Sequence, residues 1–177
     1  MPLGVWGFGV AGVGQELFVV GGHHSEPMTS GDYTTDLVQV YDMRLRKWFK
    51  LKARLPAPRS SFFMGVAGTT IYVFGGNGPL VDMTNDGDRH VATAFALDTA
   101  ARPRVWRELP PAPVAHGHFF VRDGDYFHSV LIRPGVPLSF HIPTETWTMA
   151  SSPNDGAIPL FPLNYCGGSD PVVLYAP

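Results

Sequence analysis

One short motif occurs twice in closely similar form: Leu17-Phe18-Val19-Val20-Gly21-Gly22 returns 54 positions later as Ile71-Tyr72-Val73-Phe74-Gly75-Gly76. A repeat of this kind constrains the fold more than any local propensity, because each copy must be the same supersecondary unit. Both copies follow a second apolar run across a glycine turn, Val10-Ala11-Gly12 before the first and Val66-Ala67-Gly68 before the second. Two apolar runs joined by a short glycine turn form a hairpin. A third hairpin is predicted from His118-Phe119-Phe120-Val121, the turn Asp123-Gly124-Asp125, and Tyr126-Phe127-His128-Ser129-Val130-Leu131.

A second strand pair follows each hairpin. Leu37 to Asp42 leads to Lys47-Trp48-Phe49-Lys50-Leu51, Thr93 to Asp98 leads to Val105-Trp106-Arg107-Glu108-Leu109, and Leu138 to Ile142 leads to Thr146-Trp147-Thr148-Met149-Ala150. The tryptophans are 58 and 41 residues apart, bracketing the period of about 50 expected of four-stranded propeller blades. Leu55-Pro56-Ala57-Pro58 and Leu109-Pro110-Pro111-Ala112-Pro113 interrupt the strands, since proline donates nothing to a ladder. The fold class read from this is all-β: an incomplete propeller of about three four-stranded blades plus one hairpin. Blades are expected at about 5–56, 57–113 and 114–153 within a single domain, with a partial blade at 154–177 carrying Cys166-Gly167-Gly168. Three and a half blades fall short of a closed ring of 4 to 8. The expectation is therefore either a piece of a longer propeller or an arc closed by something else.

Composition agrees with many tight turns: 20 glycines and 17 prolines stand beside 45% apolar residues. A net charge of −2 gives the chain as a whole no electrostatic footprint for nucleic acid or an anionic membrane, and neither is expected as a partner. The single cysteine fits a reducing compartment, so a cytoplasmic or nuclear location is expected. No Ser-His-Asp triad, phosphate loop or zinc signature is evident.

The glycine pair, the Tyr-Asp and the following tryptophan resemble the kelch-repeat family. The first unit carries the full set, Gly21, Gly22, Tyr41, Asp42 and Trp48. The second keeps Gly75, Gly76, Asp98 and Trp106 with Leu97 in place of the tyrosine. The third keeps Trp147, with Phe140-His141 where Tyr-Asp would stand. The linker Pro58-Arg59-Ser60-Ser61-Phe62-Phe63 is similar to the kelch part of plant-type F-box proteins. No F-box-like helical segment is expected among the residues before the first unit. The resemblance implies a non-catalytic, cofactor-free module that binds another protein, in the F-box setting as the substrate-recognition part of an SCF-type ubiquitin ligase.

Kelch-type propellers bind at one end of the ring, through the loops after the glycine pairs and the linkers between blades. The corresponding loops here run from His23 to Asp36 and from Asn77 to His90. Candidate partner-binding residues are His23, His24, Asp36, Asn77 and Asp88. Arg59 joins them from the linker, where it reads either as an arginine aimed at the binding face or as a solvated surface residue. An alternative reading is enzymatic. Asp82, Asp86 and His90, spaced by four, resemble the Glu-x3-Asp-x3-His site of iron-binding specifier proteins, which implies Fe(II) held by two carboxylates and an imidazole. The same spacing also fits an acidic, solvated loop, because Pro79, Asn85 and Gly87 oppose a helix.

Overall fold

The computed structural model describes residues 1–25, 32–78, 90–115, 119–130 and 137–149. Every regular element among them is a strand. The first sheet contains β1 (Gly9–Val13), β2 (Glu16–Val20), β5 (Val38–Asp42) and β6 (Lys47–Lys50), antiparallel in that order. A small two-stranded sheet of β3 (His23–Ser25) and β4 (Asp32–Thr34) is inserted between β2 and β5. The second sheet holds β7 (Phe63–Ala67), β8 (Thr70–Phe74), β9 (Ala94–Asp98) and β10 (Trp106–Leu109) in chain order. The third holds β11 (Phe119–Asp123), β12 (Tyr126–Val130), β13 (Leu138–His141) and β14 (Thr146–Met149). The fourth opening hairpin expected at 154–177 lies outside the described residues.

Identical turns set the register of each opening hairpin. Val13 faces Glu16, Ala67 faces Thr70 and Asp123 faces Tyr126, leaving two-residue turns that begin at Gly14, Gly68 and Gly124. All three glycines have φ between 52° and 59°, the left-handed region that the first position of such a turn requires.

The first strands of the sheets, β1, β7 and β11, are neighbours, so the three sheets stand as blades around a common axis. Paired residues in a ladder share a face. Blade 1 turns Phe18, Val20, Val38 and Val40 toward blade 2, where they meet Ile71, Val73, Phe95, Leu97 and Trp106. On its other face, blade 2 offers Tyr72, Phe74, Ala94 and Ala96 to Phe120, Phe127, Leu138 and Phe140 of blade 3. Phe74 lies at the centre, its ring 4.9 Å from those of both Phe140 and Trp147. Full burial of one such side chain is worth about 1.5–3 kcal/mol, so the two interblade cores carry the fold. Aromatic rings crowd β7: a Cβ on Gly65 would come within 2.6 Å of the Phe63 ring and 2.8 Å of the Phe127 ring.

The repeated residues have structural duties. Asp42 Oδ1 accepts hydrogen bonds from the Arg44 and Leu45 amides (2.8 and 2.9 Å), closing the β5–β6 turn. Asp98 does the same for Ala100 N, 2.9 Å away, and also takes the Thr69 hydroxyl. In the third blade His141 substitutes, its Nδ1 2.7 Å from the Thr144 hydroxyl. Trp48 packs on Tyr41 (centroids 5.1 Å apart), Trp106 is buried between blades 1 and 2, and Trp147 donates its indole N–H to Pro110 O at 2.8 Å. The free face of blade 1 is covered by the chain's own first residues. The Gln39 amide donates to Leu3 O (3.0 Å) and accepts from Leu3 N (2.7 Å), as a strand backbone would. Among the described residues no helix is long and apolar enough to cross a membrane.

Candidate functional site

The glycine doublets end β2 and β8, and what crosses them is the linker between blades 1 and 2. Gly21 and Gly22 have φ of 61° and 97°, and Gly75 and Gly76 have 60° and 83°. Space as well as dihedral demands glycine: a Cβ on Gly21 would lie 2.5 Å from Arg59 O, and one on Gly76 would lie 2.6 Å from Ser60 O. The close approach lets the Gly22 amide donate to Arg59 O at 2.7 Å.

Backbone hydrogen bonds then run on across this end of the arc. Trp6 and His23 exchange both of theirs (3.0 and 2.7 Å), Ser61 N donates to Gly7 O, Ser60 and Asn77 exchange both, and Asn77 forms a bridge with His90. Thr35 N donates to Gly22 O, and Arg59 N donates to Thr35 O. Segments from both loops and from the linker are thus tied into one platform. The loop read as running from His23 to Asp36 contains the β3–β4 hairpin, with His23 opposite Thr34 and His24 opposite Tyr33. Three-residue strands are too short for a period of two to register in sequence.

His23 is buried, its ring 4.4 Å from Trp6 and its Nδ1 3.2 Å from the Thr34 hydroxyl. His24 sits 5.8 Å from the Tyr33 ring, and both Trp6 and Tyr33 are exposed. Asp36 is engaged by Arg54 in an ion pair at the side of the platform. Asn77 is half-buried, and His90, exposed, lies beside it through the bridge. Asp82, Asp86 and Asp88 lie outside the described residues, so the proposed iron ligands are not placed as a set. Among the described residues no three His, Cys, Asp or Glu side chains gather as a metal site.

Arg59 sits differently from both expectations. Its side chain is 2% exposed, and its guanidinium donates to Gly75 O at 3.0 Å and to Thr93 O at 3.2 Å, with the Phe95 ring 5.2 Å away. Burial pushes its pKa down to about 10. An arginine between two prolines and serines reads as a surface residue; nothing local announces that the glycine doublet of the next blade will close over it. Around it, Arg59 Nε, Ser60 Oγ, Asn77 Oδ1 and Thr93 Oγ1, together with His24 Nδ1, are buried without a hydrogen-bond partner. Among the described residues the one further such atom is Trp106 Nε1, in the core between blades 1 and 2.

Close to the axis, the starts of β1, β7 and β11 frame an apolar cleft of about 260 Å³ lined by Phe8, Val10, Phe62, Met64, Phe119 and Phe120. Phe8, Val10 and Phe119 are exposed along it.

No protein-family profile matches the chain. Among solved structures it is similar to that of YjhT, with a TM-score of 0.67 and 18% identity over 85% of this chain. The chain spans 54% of the length of YjhT. The likeness shows the fold: this chain is all-β, an incomplete propeller of the kelch type.

Proposed function

We propose that the chain is a non-catalytic protein-interaction module whose partner docks on the glycine-doublet end of the arc. One observation carries the reading: Trp6, His24, Tyr33, Asn77 and His90 are brought by separate segments onto one backbone-tied platform. Exposed aromatic side chains on a rigid base are the groups that dominate protein–protein binding energies. The resemblance of the repeats and of the Arg59 linker to plant-type F-box/kelch proteins extends the proposal to substrate recognition for an SCF-type ubiquitin ligase in the cytoplasm or nucleus.

The test is cross-linked affinity capture with the wild-type chain and with Trp6→Ala and Tyr33→Ala variants matched for thermal unfolding. The expected result is a dominant captured protein whose recovery falls about tenfold or more in the variants. Equal recovery by all three proteins would place binding elsewhere and overturn the reading.

A further inference from the structure

Net charge conceals a cationic strip. Residues 44–54, Arg-Leu-Arg-Lys-Trp-Phe-Lys-Leu-Lys-Ala-Arg, contain six of the chain's 13 Lys and Arg and no acidic residue, leaving seven basic residues against all 15 acidic ones elsewhere. All six are exposed. Arg54 pairs with Asp36, and among the described residues Arg44, Arg46, Lys47, Lys50 and Lys52 take part in no ion pair. The repeat does not require them. Aligned on the blade tryptophans, Lys47 corresponds to Val105 and Thr146, and Lys50 to Glu108 and Met149.

The strip coincides with a free sheet edge. β6 is the outermost strand of blade 1, and no described strand pairs with its far side. Its outward N–H and C=O groups are a template for another strand. Apolar side chains are interspersed with the charges: Leu45, at 68% the most exposed large apolar residue described, stands at the turn, and Phe49 is exposed on the strand between Trp48 and Lys50. Asp42 fixes the turn through the Arg44 and Leu45 amides, so Leu45 is presented on an ordered base.

Lysines along an edge repel a second copy of the same edge, which protects it from self-association. The same row attracts an acidic strand, since opposite charges facing across a ladder stabilise it. We propose that the β6 edge binds an acidic, extended segment of another protein by strand addition. The backbone groups of the edge favour a polypeptide over a single-stranded nucleic acid, which has charge to offer but no amide ladder. The β6 edge meets the glycine-doublet platform only at one end, where Arg54 pairs with Asp36. The proposal rests on the protein-binding reading, but its test uses a defined peptide and fails or succeeds apart from the capture experiment.

The probe is a labelled peptide alternating Glu with Val and Thr, titrated against the intact chain by fluorescence anisotropy. Two controls are a peptide of equal charge with proline at alternate positions and an oligothymidylate of equal charge. The expected result is saturable binding that weakens with added salt, is roughly tenfold weaker for the proline peptide, and is lost in a Lys47→Glu/Lys50→Glu/Lys52→Glu variant. No binding at low salt overturns the proposal. Equal affinity for the proline peptide, or tighter binding of the oligothymidylate, overturns it in favour of unspecific polyanion attraction. Should the triple variant fail to fold, the proline comparison on the wild-type chain still decides.

Discussion

The Arg104 guanidinium of blade 2 clasps both carboxylate oxygens of Glu16 in blade 1, 88 residues earlier in the chain, with Nη1 3.0 Å from Oε1. The arginine side chain is 9% exposed, its Nε donates to Thr99 O at 2.7 Å, and its charge lies 5.5 Å from the Phe18 ring centre. A forked, largely buried pair of this kind differs from a surface ion pair, because losing one partner strands the other charge in the interblade wall. Glu16→Gln is expected to lower unfolding free energy by about 2 kcal/mol, less than a fully buried pair because the carboxylate is partly solvated. Urea unfolding of Glu16→Gln, Arg104→Met and the double variant should give a double variant less unstable than the sum of the two. Strict additivity would mean that the pair contributes nothing.

Arg59 is expected to act on stability. Arg59→Ala removes a buried side chain and leaves the Gly75 and Thr93 carbonyls without its hydrogen bonds, at a cost of about 3 kcal/mol or more. Arg59→Lys keeps the charge but not the planar guanidinium whose Nη1 reaches both carbonyls, and should fall between wild type and Arg59→Ala. Denaturant midpoints in that order would fit a guanidinium that ties the linker to blade 2. A wild-type midpoint for Arg59→Ala would contradict it.

The repeat made the blades readable, because Gly21-Gly22 and Gly75-Gly76 answer a demand for a tight crossing, Asp42 and Asp98 for a capped turn, and Trp106 and Trp147 for a filled wedge. The third blade was readable even where the motif is worn, since Phe140 and Trp147 still fill the space facing Phe74. What the sequence left open depends on contacts between distant segments. Arg59 becomes buried only when Gly75 and Gly76 cross it, Arg104 finds Glu16 only when two blades pack, and Gln39 caps its sheet only because Leu3 returns to it. The cationic strip was visible residue by residue and vanished into the net charge. The candidate site was legible as two loops, whereas the ladder that joins them through Ser60 and Asn77 was not.

Two glycine positions should respond very differently to alanine. Gly14 has φ of 58° and nothing within 4 Å of the place a Cβ would take, so Gly14→Ala is expected to cost about 1–2 kcal/mol, the left-handed penalty alone. Gly76, at φ 83°, would set its Cβ 2.5 Å from the Phe62 Cβ and 2.6 Å from Ser60 O. Backbone cannot yield as a flexible side chain does, so Gly76→Ala should lose clearly more stability and disturb the Ser60–Asn77 ladder. Equal thermal shifts for the two variants would show that the crossing is looser than its geometry.

Asp98 predicts a pH dependence with a definite sign. Hydrogen bonds from the Ala100 amide and the Thr69 hydroxyl hold its carboxyl below the ordinary carboxylate range. A carboxyl with a depressed pKa in the folded state contributes stability that is present above its unfolded value and is lost as pH falls through the folded one. Asp98→Asn keeps an acceptor for the turn and removes the titration. At neutral pH the variant should be modestly less stable than the wild type, and the gap should close as pH is lowered into and below the usual carboxylate range. Urea midpoints measured at steps from neutral to strongly acidic pH give the comparison. A gap that stays constant across that range would show that the turn gains nothing from the charge of Asp98 and depends only on its shape.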